Sequence, residues 1–305
     1  MGTYLVRRLG QSVITVWALV TLSFFLLKAV PGGPFDEDKQ LPPEIKANIE
    51  RKYNLHLPWY QQYFAYLGNL CEGDLGPSYK YLGRSVNDIL ADTFPVSLQL
   101  GLLSIALSFL IGIPLGMLAA YKQNTWVDTS AMFLAIAGVS LPSFLVGAIL
   151  ILIFAHALGW LPAALWEGPR YMILPAVTLG IRPAAIIARL TRSSMLDVIH
   201  SDYVRTARAK GLDELSVIAK HVLRNSLIPV ITFSGPLIAG AVTGSFIVEH
   251  MFAIPGMGKH FITAVTNRDY TLIMGTTVVY GILLIGANIM VDFLYTIVDP
   301  RIKIR

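Results

Sequence analysis

Six runs of twenty or more predominantly apolar residues divide this chain, at about Leu9–Val30, Phe94–Ala120, Ala131–Leu158, Tyr171–Leu190, Leu227–Val248 and Leu272–Val298. A helix needs about 20 such residues to cross a hydrocarbon core. The pattern predicts an all-α integral membrane protein with six transmembrane helices. Several runs exceed what a perpendicular span requires, so tilt or extension beyond the bilayer is expected. Composition agrees: 54% of the 305 residues are hydrophobic and 14% charged, whereas soluble domains carry about 25% charge. The net charge of +5 is modest and belongs to loops on the cytoplasmic side, not to a nucleic-acid surface.

The first run follows Arg7 and Arg8, as a signal peptide would. It is longer than a signal core, and no small-x-small site precedes Pro31-Gly32-Gly33-Pro34, so it reads as an uncleaved span. A polar stretch to Thr93 follows. Pro42 and Pro43 open a predicted helix from Glu44 to Tyr53, and Trp59 to Phe64 suggests an amphipathic interfacial one. Gly73-Asp74-Leu75-Gly76-Pro77-Ser78 is turn chemistry. The organisation is therefore a first segment and span (1–30), an extracytoplasmic subdomain (31–93) and a membrane core (94–305). Cys71 is the only cysteine, which excludes an intrachain disulfide or a cysteine metal cluster.

Lys and Arg set the orientation. One side carries Arg7, Arg8, Lys122, Arg189, Arg192, Arg205, Arg208, Lys210, Lys220, Arg224, Arg301, Lys303 and Arg305. Short loops on the other carry Arg170, Lys259 and Arg268. The positive-inside rule then puts both termini in the cytoplasm, and the Met251–Tyr270 loop outside. Within the spans, Gly112-Ile113-Pro114-Leu115-Gly116 both loosens a helix and permits close packing, and Gly240 and Gly244 form a small-xxx-small face. Segments of this kind serve tight packing or a water-lined path.

Enzyme signatures are absent: there is no H-E-x-x-H, G-x-S-x-G or P-loop. Gly258-Lys259 resembles half a P-loop, but His260 follows it and Ala253 stands where the first glycine belongs. Intramembrane ionisable groups are few: Arg182 beside Pro183, Asp292, His156 and Glu249 near outer ends, and Lys28, which can snorkel. Asp292 lies about two turns from Asp299, poorly placed for a midplane relay. Arg182 either bonds a neighbouring helix or partner subunit, or lines a polar pathway. Thr243, Ser245 and Asn288 are further pathway candidates, with ordinary helix–helix hydrogen bonding as the alternative. The loop holding Glu249, Phe252, Pro255, Gly256 and Gly258 is either an outer gate or a short re-entrant turn.

The longest polar interval in the C-terminal half runs from Asp202 to Leu215. Ile199, Tyr203 and Ala207 recur at helical spacing and predict one face, with Arg205 and Arg208 on another. Gly211 suits a helix C-terminus. Asp213 suits the cap of a second helix with an apolar face of Leu215, Ile218 and Val222. Two short helices across the membrane surface would result, either as a docking element or as a basic loop that only sets topology.

At these residues the chain resembles a known family. Arg205-Thr206-Ala207-Arg208-Ala209-Lys210-Gly211, followed by His221-Val222-Leu223-Arg224-Asn225, is similar to the "EAA" motif of ABC importer permeases, in the form found in peptide importers. The likeness covers essentially the whole chain. It includes Pro31-Gly32, Gly73-Asp74-Leu75-Gly76, Leu141-Pro142-Ser143-Phe144, Arg192-Ser193-Ser194-Met195-Leu196, Glu249-x-x-Phe252-x-x-Pro255-Gly256-x-Gly258 and Asp299-Pro300-Arg301. Arg205 replaces the general motif's glutamate, Thr206 its first alanine and Arg224 its terminal proline, whereas Ala207 and Gly211 match.

The resemblance implies a type I ABC importer permease of the B-type peptide-permease class. It implies a coupling helix at about 202–216, with Tyr203, Arg205, Thr206, Ala207, Arg208, Lys210 and Gly211 docking an ATPase. The implied partners are a second related permease, two ATP-binding subunits that hold ATP and Mg2+, and an extracytoplasmic peptide-binding protein. No cofactor is expected in this chain. Charge reversal at Arg205 and Arg208 is expected to weaken ATPase association or coupling. Transport of dipeptides, nickel chelates or another small solute is the alternative within the family. A secondary transporter driven by an ion gradient is the alternative outside it.

Overall fold

The computed structural model describes residues 2–35, 51, 53–242 and 245–298. Among them the fold is helical, with a single isolated antiparallel bridge between Pro77 and Ser85. The helices are α1 Gly2–Ala29, α2 Trp59–Cys71, α3 Val86–Tyr121, α4 Trp126–Ser140, α5 Ser143–Leu150 with a π-helical extension to Ala157, and α6 Pro169–Ile199. There follow α7 Asp202–Ala209, α8 Glu214–Ser216 with a π-helical turn over Val217–Val222, α9 Leu223–Ser226, α10 Ile228–Val242, α11 Phe246–Met251, α12 Met257–Thr266 and α13 Tyr270–Val298. Four helices are long and apolar enough to cross a membrane alone; counting each of two bent pairs as one span gives six among the described residues. The predicted helix over 44–53 lies almost wholly outside the described residues.

Two predicted spans are broken. The run at Ala131–Leu158 folds as α4 and α5, which meet at 110°. The cause is Pro142: it lacks an N–H and keeps Leu141 out of helical geometry, so Leu141 (ψ 129°) and Pro142 (ψ 142°) are both extended. The run at Leu227–Val248 ends as a helix at Val242, and a separate short helix starts after the extended Ser245. In contrast, α3 begins eight residues before the predicted run. Ser85 and Asp88 form a capping box there: the Ser85 N–H donates to Asp88 Oδ2 at 3.0 Å and the Asp88 N–H to Ser85 Oγ at 3.1 Å.

The described residues form two compact units. The first comprises Gly2–Ser97 and Pro255–Leu283. Its cores are Leu75, Val86, Ile89, Leu90, Met257 and Leu272, and, beside α1, Val20, Phe24, Tyr63, Met274 and Val278. The fully buried Asp269 ties the 76–79 turn to α13. It accepts from the Ser78 hydroxyl, from the Tyr79 N–H at 3.2 Å and from the Leu272 N–H at 3.2 Å. Burial, and next the Asp269 charge, push the Tyr79 phenol above its ordinary range.

The second unit comprises Leu98–Ile254 and the chain from Leu284. Here α3 and α6 pack backbone to backbone. A Cβ at Gly112 would stand 2.6 Å from the Ala184 carbonyl oxygen, and one at Gly116 2.5 Å from that of Ala188. No side chain fits such a seam, the membrane form of small-xxx-small packing. Ser108 Oγ adds a hydrogen bond to the Gly180 carbonyl at 2.8 Å. At the expected small-xxx-small face, no described residue stands within 4 Å of where a Gly240 Cβ would be; Gly244 lies outside the described residues.

Candidate functional site

The segment from Asp202 to Ser226 folds as two helices joined at a glycine corner. Helix α7 is capped by Lys210, whose N–H reaches the Thr206 carbonyl at 3.0 Å. Gly211 follows at φ +78°, a left-handed conformation that costs an L-residue about 1–2 kcal/mol. Asp213 then caps α8, accepting from the Ser216 N–H at 2.9 Å. Both features agree with the sequence pattern.

The buried face differs from the predicted one. The chain leaves helical geometry between Ile199 and Asp202, which shifts the register by one residue. Val204 and Ala207 are therefore buried, and Tyr203 is 43% exposed with its hydroxyl accepting from Asn225 Nδ2 at 2.8 Å. On the second helix Val217, Ile218 and Val222 are buried; the side chain of Leu215 is not among those described. These residues join Ala120, Met195 and Ile199 in one cluster. The element is thus seated on the last turns of α3 and α6, and a close-packed contact of this kind transmits displacement.

The two arginines do different things. Arg208 Nη2 and Nε donate to Glu214 Oε1 and Oε2 at 2.7 and 3.1 Å, a fork that braces the corner from one helix to the next. That hydrogen bonding raises the Arg208 pKa and holds the Glu214 carboxyl below the usual range. The predicted common face for Arg205 and Arg208 is thus not an open pair. The Arg205 side chain is 70% exposed and only approaches Asp202, at 3.7 Å. Thr206 and Lys210 are exposed as well, while Ala207 is interior.

A second brace escaped the sequence reading. Arg192 Nε and Nη2 donate to Asp128 Oδ1 and Oδ2 at 2.5 and 2.7 Å, and the Asn124 N–H donates to the same carboxylate at 3.0 Å. Asp128 is buried. The pair locks the start of α4 to the end of α6. Arg192 counted toward orientation, but nothing local in the sequence connects it with a residue 64 positions earlier.

Higher in the same unit lies a cavity of about 480 Å3, lined among others by Leu141, Ser143, Thr178, Arg182, Gly240 and Ser245. Of the four predicted pathway residues, Arg182 and Ser245 meet here. Asn288 is half-buried on α13 and not part of this lining, and Thr243 lies outside the described residues. In the predicted gate segment, Glu249 and Phe252 are buried. The Ile254 N–H closes a turn on the Glu249 carbonyl at 2.7 Å, with Ala253 at φ +52°. Phe252 also accepts from the Leu165 N–H at 2.8 Å. Pro255, Gly256 and Gly258 belong to the other unit. There Pro255 is exposed, Gly256 caps α12 and Gly258 is buried in its first turn.

Long apolar helices, a proline-edged cavity holding one guanidinium and a braced two-helix element seated on helix ends are the features of a membrane transport subunit. Residues 112–304 match the family described as "Binding-protein-dependent transport system inner membrane component". The chain belongs to that family, as a multi-pass inner-membrane permease of an ABC importer. It is 47% identical to the oligopeptide transport system permease protein OppB of Haemophilus influenzae, with 99% of this chain and 100% of that protein covered. It is 46% identical to the dipeptide transport system permease protein DppB of Bacillus subtilis, covering 100% and 99%. The fold is similar to that of the inward-facing MetNI methionine ABC transporter, with a TM-score of 0.56, 17% identity, and 69% of this chain and 96% of that one covered.

Proposed function

We propose that this chain is one of two pore-forming permeases in an ATP-driven importer of oligopeptides. The observation that carries this reading is full-length similarity to peptide permeases, joined to a two-helix element seated on the ends of α3 and α6. A second related permease completes the pore. Two ATP-binding subunits, holding ATP and Mg2+, grip the exposed side of α7 at Tyr203, Arg205, Thr206 and Lys210. This chain itself binds no nucleotide or metal and does not hydrolyse ATP. An extracytoplasmic protein delivers peptide, both termini lie in the cytoplasm, and the segment after α1 faces outward.

The mechanism is alternating access. Closure of the ATPase pair pushes the two-helix element, which moves the ends of α3 and α6 through the Ala120–Met195–Val204 cluster. A drive of this kind needs contacts that differ between the two states, and the exposed side of α7 is where the ATPase makes them. The DppB relative supports a second reading, in which the substrates are dipeptides.

The test is gentle purification of tagged chain from native membranes, with mass spectrometry of stoichiometric partners, followed by peptide uptake. Two ATPase chains and a second permease are expected. A chain that purifies alone and moves solute under an ion gradient without ATP overturns the reading.

A further inference from the structure

Arg182 lies 13 residues into the 31-residue α6, near the middle of a membrane-spanning helix. A guanidinium there is costly, and such a residue is a functional candidate by default. Two other arginines of this unit are held by a carboxylate: Arg192 by Asp128, and Arg208 by Glu214. Among the described residues Arg182 has neither an ion-pair nor a hydrogen-bond partner. It is exposed into the 480 Å3 cavity, and no Asp or Glu is among that cavity's lining residues.

The rest of the lining is suited to a peptide backbone rather than to any one side chain. Pro142 breaks the helix pair, so the N–H groups that open α5 at Ser143 have no preceding helical carbonyl. Pro183 cannot donate to the carbonyl of Leu179, which also lines the cavity. Ser143 and Ser245 add hydroxyls, while that of Thr178 donates to the Leu174 carbonyl at 2.7 Å. Apolar walls come from Leu141, Val146 and Ile186. The cavity thus offers backbone-type donors and acceptors, room for varied side chains, and one fixed positive charge.

Building on the peptide-importer reading, we infer that this cavity is a substrate station in which Arg182 takes the C-terminal carboxylate of the passing peptide. The chemistry is what a tolerant pathway requires. Side chains vary from peptide to peptide, whereas a free carboxylate is present on all of them. A guanidinium matches it with two parallel hydrogen bonds, and does so better than a lysine because of its planar fork. Among the described residues the charge is left without a carboxylate because the substrate supplies one.

The test uses the complete importer in proteoliposomes, with the binding protein saturated in every assay. Uptake of one peptide is compared with uptake of the same peptide amidated at its C-terminus, for wild type, Arg182→Gln and Arg182→Lys. In wild type the free acid is expected to enter at least about tenfold faster than the amide. Arg182→Gln is expected to abolish the difference between the free acid and the amide, and Arg182→Lys to restore part of it. Equal uptake of acid and amide by wild type, or an undiminished acid preference in Arg182→Gln, overturns the inference while leaving the importer reading intact. Failure of wild type to take up either peptide overturns the importer reading instead. If Arg182→Gln no longer co-purifies with the second permease, while Arg182→Lys assembles and transports acid and amide alike, the guanidinium is pairing with that subunit and the inference is wrong.

Discussion

The two-helix element and the cavity around Arg182 belong to the same compact unit and follow opposite rules. In the element, each polar group that shapes the corner is answered from within: Arg208 by Glu214, the Ser216 N–H by Asp213, Tyr203 by Asn225. Its apolar face is seated on Ala120, Met195 and Ile199. Around the cavity Pro142 separates two helices, Pro183 and Pro236 each remove an N–H donor inside a continuing helix, and among the described residues the central charge is unanswered. On the proposed function, the difference separates two mechanical tasks. A part that transmits force loses work if it deforms, so its contacts are internal and redundant. A part that passes substrate must keep its hydrogen-bonding capacity available, so its contacts are left for something else to make.

The sharpest way to break this comparison is to remove a brace. Asp128→Ala leaves Arg192 without its carboxylate in a partly buried site. Breaking a buried pair on one side costs about 3–5 kcal/mol; at the lower end of that range, because Arg192 keeps 25% of its side-chain exposure, the loss is about 3 kcal/mol. Thermal unfolding of the purified complex is expected to shift down clearly, and Asp128→Ala combined with Arg192→Leu to recover much of the shift. If the single variant unfolds as wild type does, the bracing account of this region fails.

Gly211→Ala is expected to cost less. Its φ of +78° with open space around the Cβ position makes the penalty conformational alone, about 1–2 kcal/mol. Peptide-stimulated ATP hydrolysis is expected to suffer more than ATPase binding, because the corner angle changes while the exposed face of α7 survives. Gly211→Asn, which tolerates the left-handed region, is expected to lie between Gly211→Ala and wild type.

These residues also show what could be read from the sequence and what could not. The glycine corner and the Asp213 cap were legible because each is a local rule: a left-handed residue at a helix end, and a short side-chain acceptor three residues before an N–H. The six apolar runs were legible because bilayer thickness fixes their length. The break at Pro142 was visible as a residue, but continuous hydropathy across it hid the 110° bend. Helical periodicity carried from Ile199 to Tyr203 gives the wrong buried face because the helix stops at His200 and restarts at Asp202. The Asp128–Arg192 clamp and the Gly112–Ala184 seam link positions far apart in the chain, and no window of sequence contains both partners. Of the cavity, Arg182 and Ser245 were legible by chemistry; that they meet was not.

A charge swap then separates bracing from docking within α7. Arg208→Glu faces Glu214 and opens the fork, whereas Arg208→Glu with Glu214→Arg rebuilds it with the charges exchanged. Both side chains are more than a third exposed, so the pair stabilises by only about 0.2–1 kcal/mol. The swap is expected to restore coupled ATP hydrolysis to near wild type, since Arg208 acts inside the element. Arg205→Glu has no such remedy within the chain, because the 70%-exposed Arg205 makes no close pair, and it is expected to weaken ATPase association. The opposite pattern, with the swap failing and Arg205→Glu silent, would exchange the roles assigned to the two arginines.

The smallest expected effect is a pH dependence of the same brace. The hydrogen bond from Arg208 lowers the folded-state pKa of Glu214. The unfolded chain therefore takes up this proton first as pH falls. The stabilisation is complete above the ordinary glutamate value of about 4.3 and is lost as pH drops through the depressed folded value. Hydrogen exchange at the Lys210 and Gly211 amides is expected to accelerate, relative to the intrinsic rate, as pH falls below about 4.3 in wild type. Glu214→Gln is expected to show the faster relative exchange already at neutral pH and no further step. Because the pair is exposed, raised salt is expected to shrink the wild-type step. A step that persists in Glu214→Gln belongs to another carboxylate, with Asp213, whose pKa is also lowered by its bonds to Ser216, the next to replace.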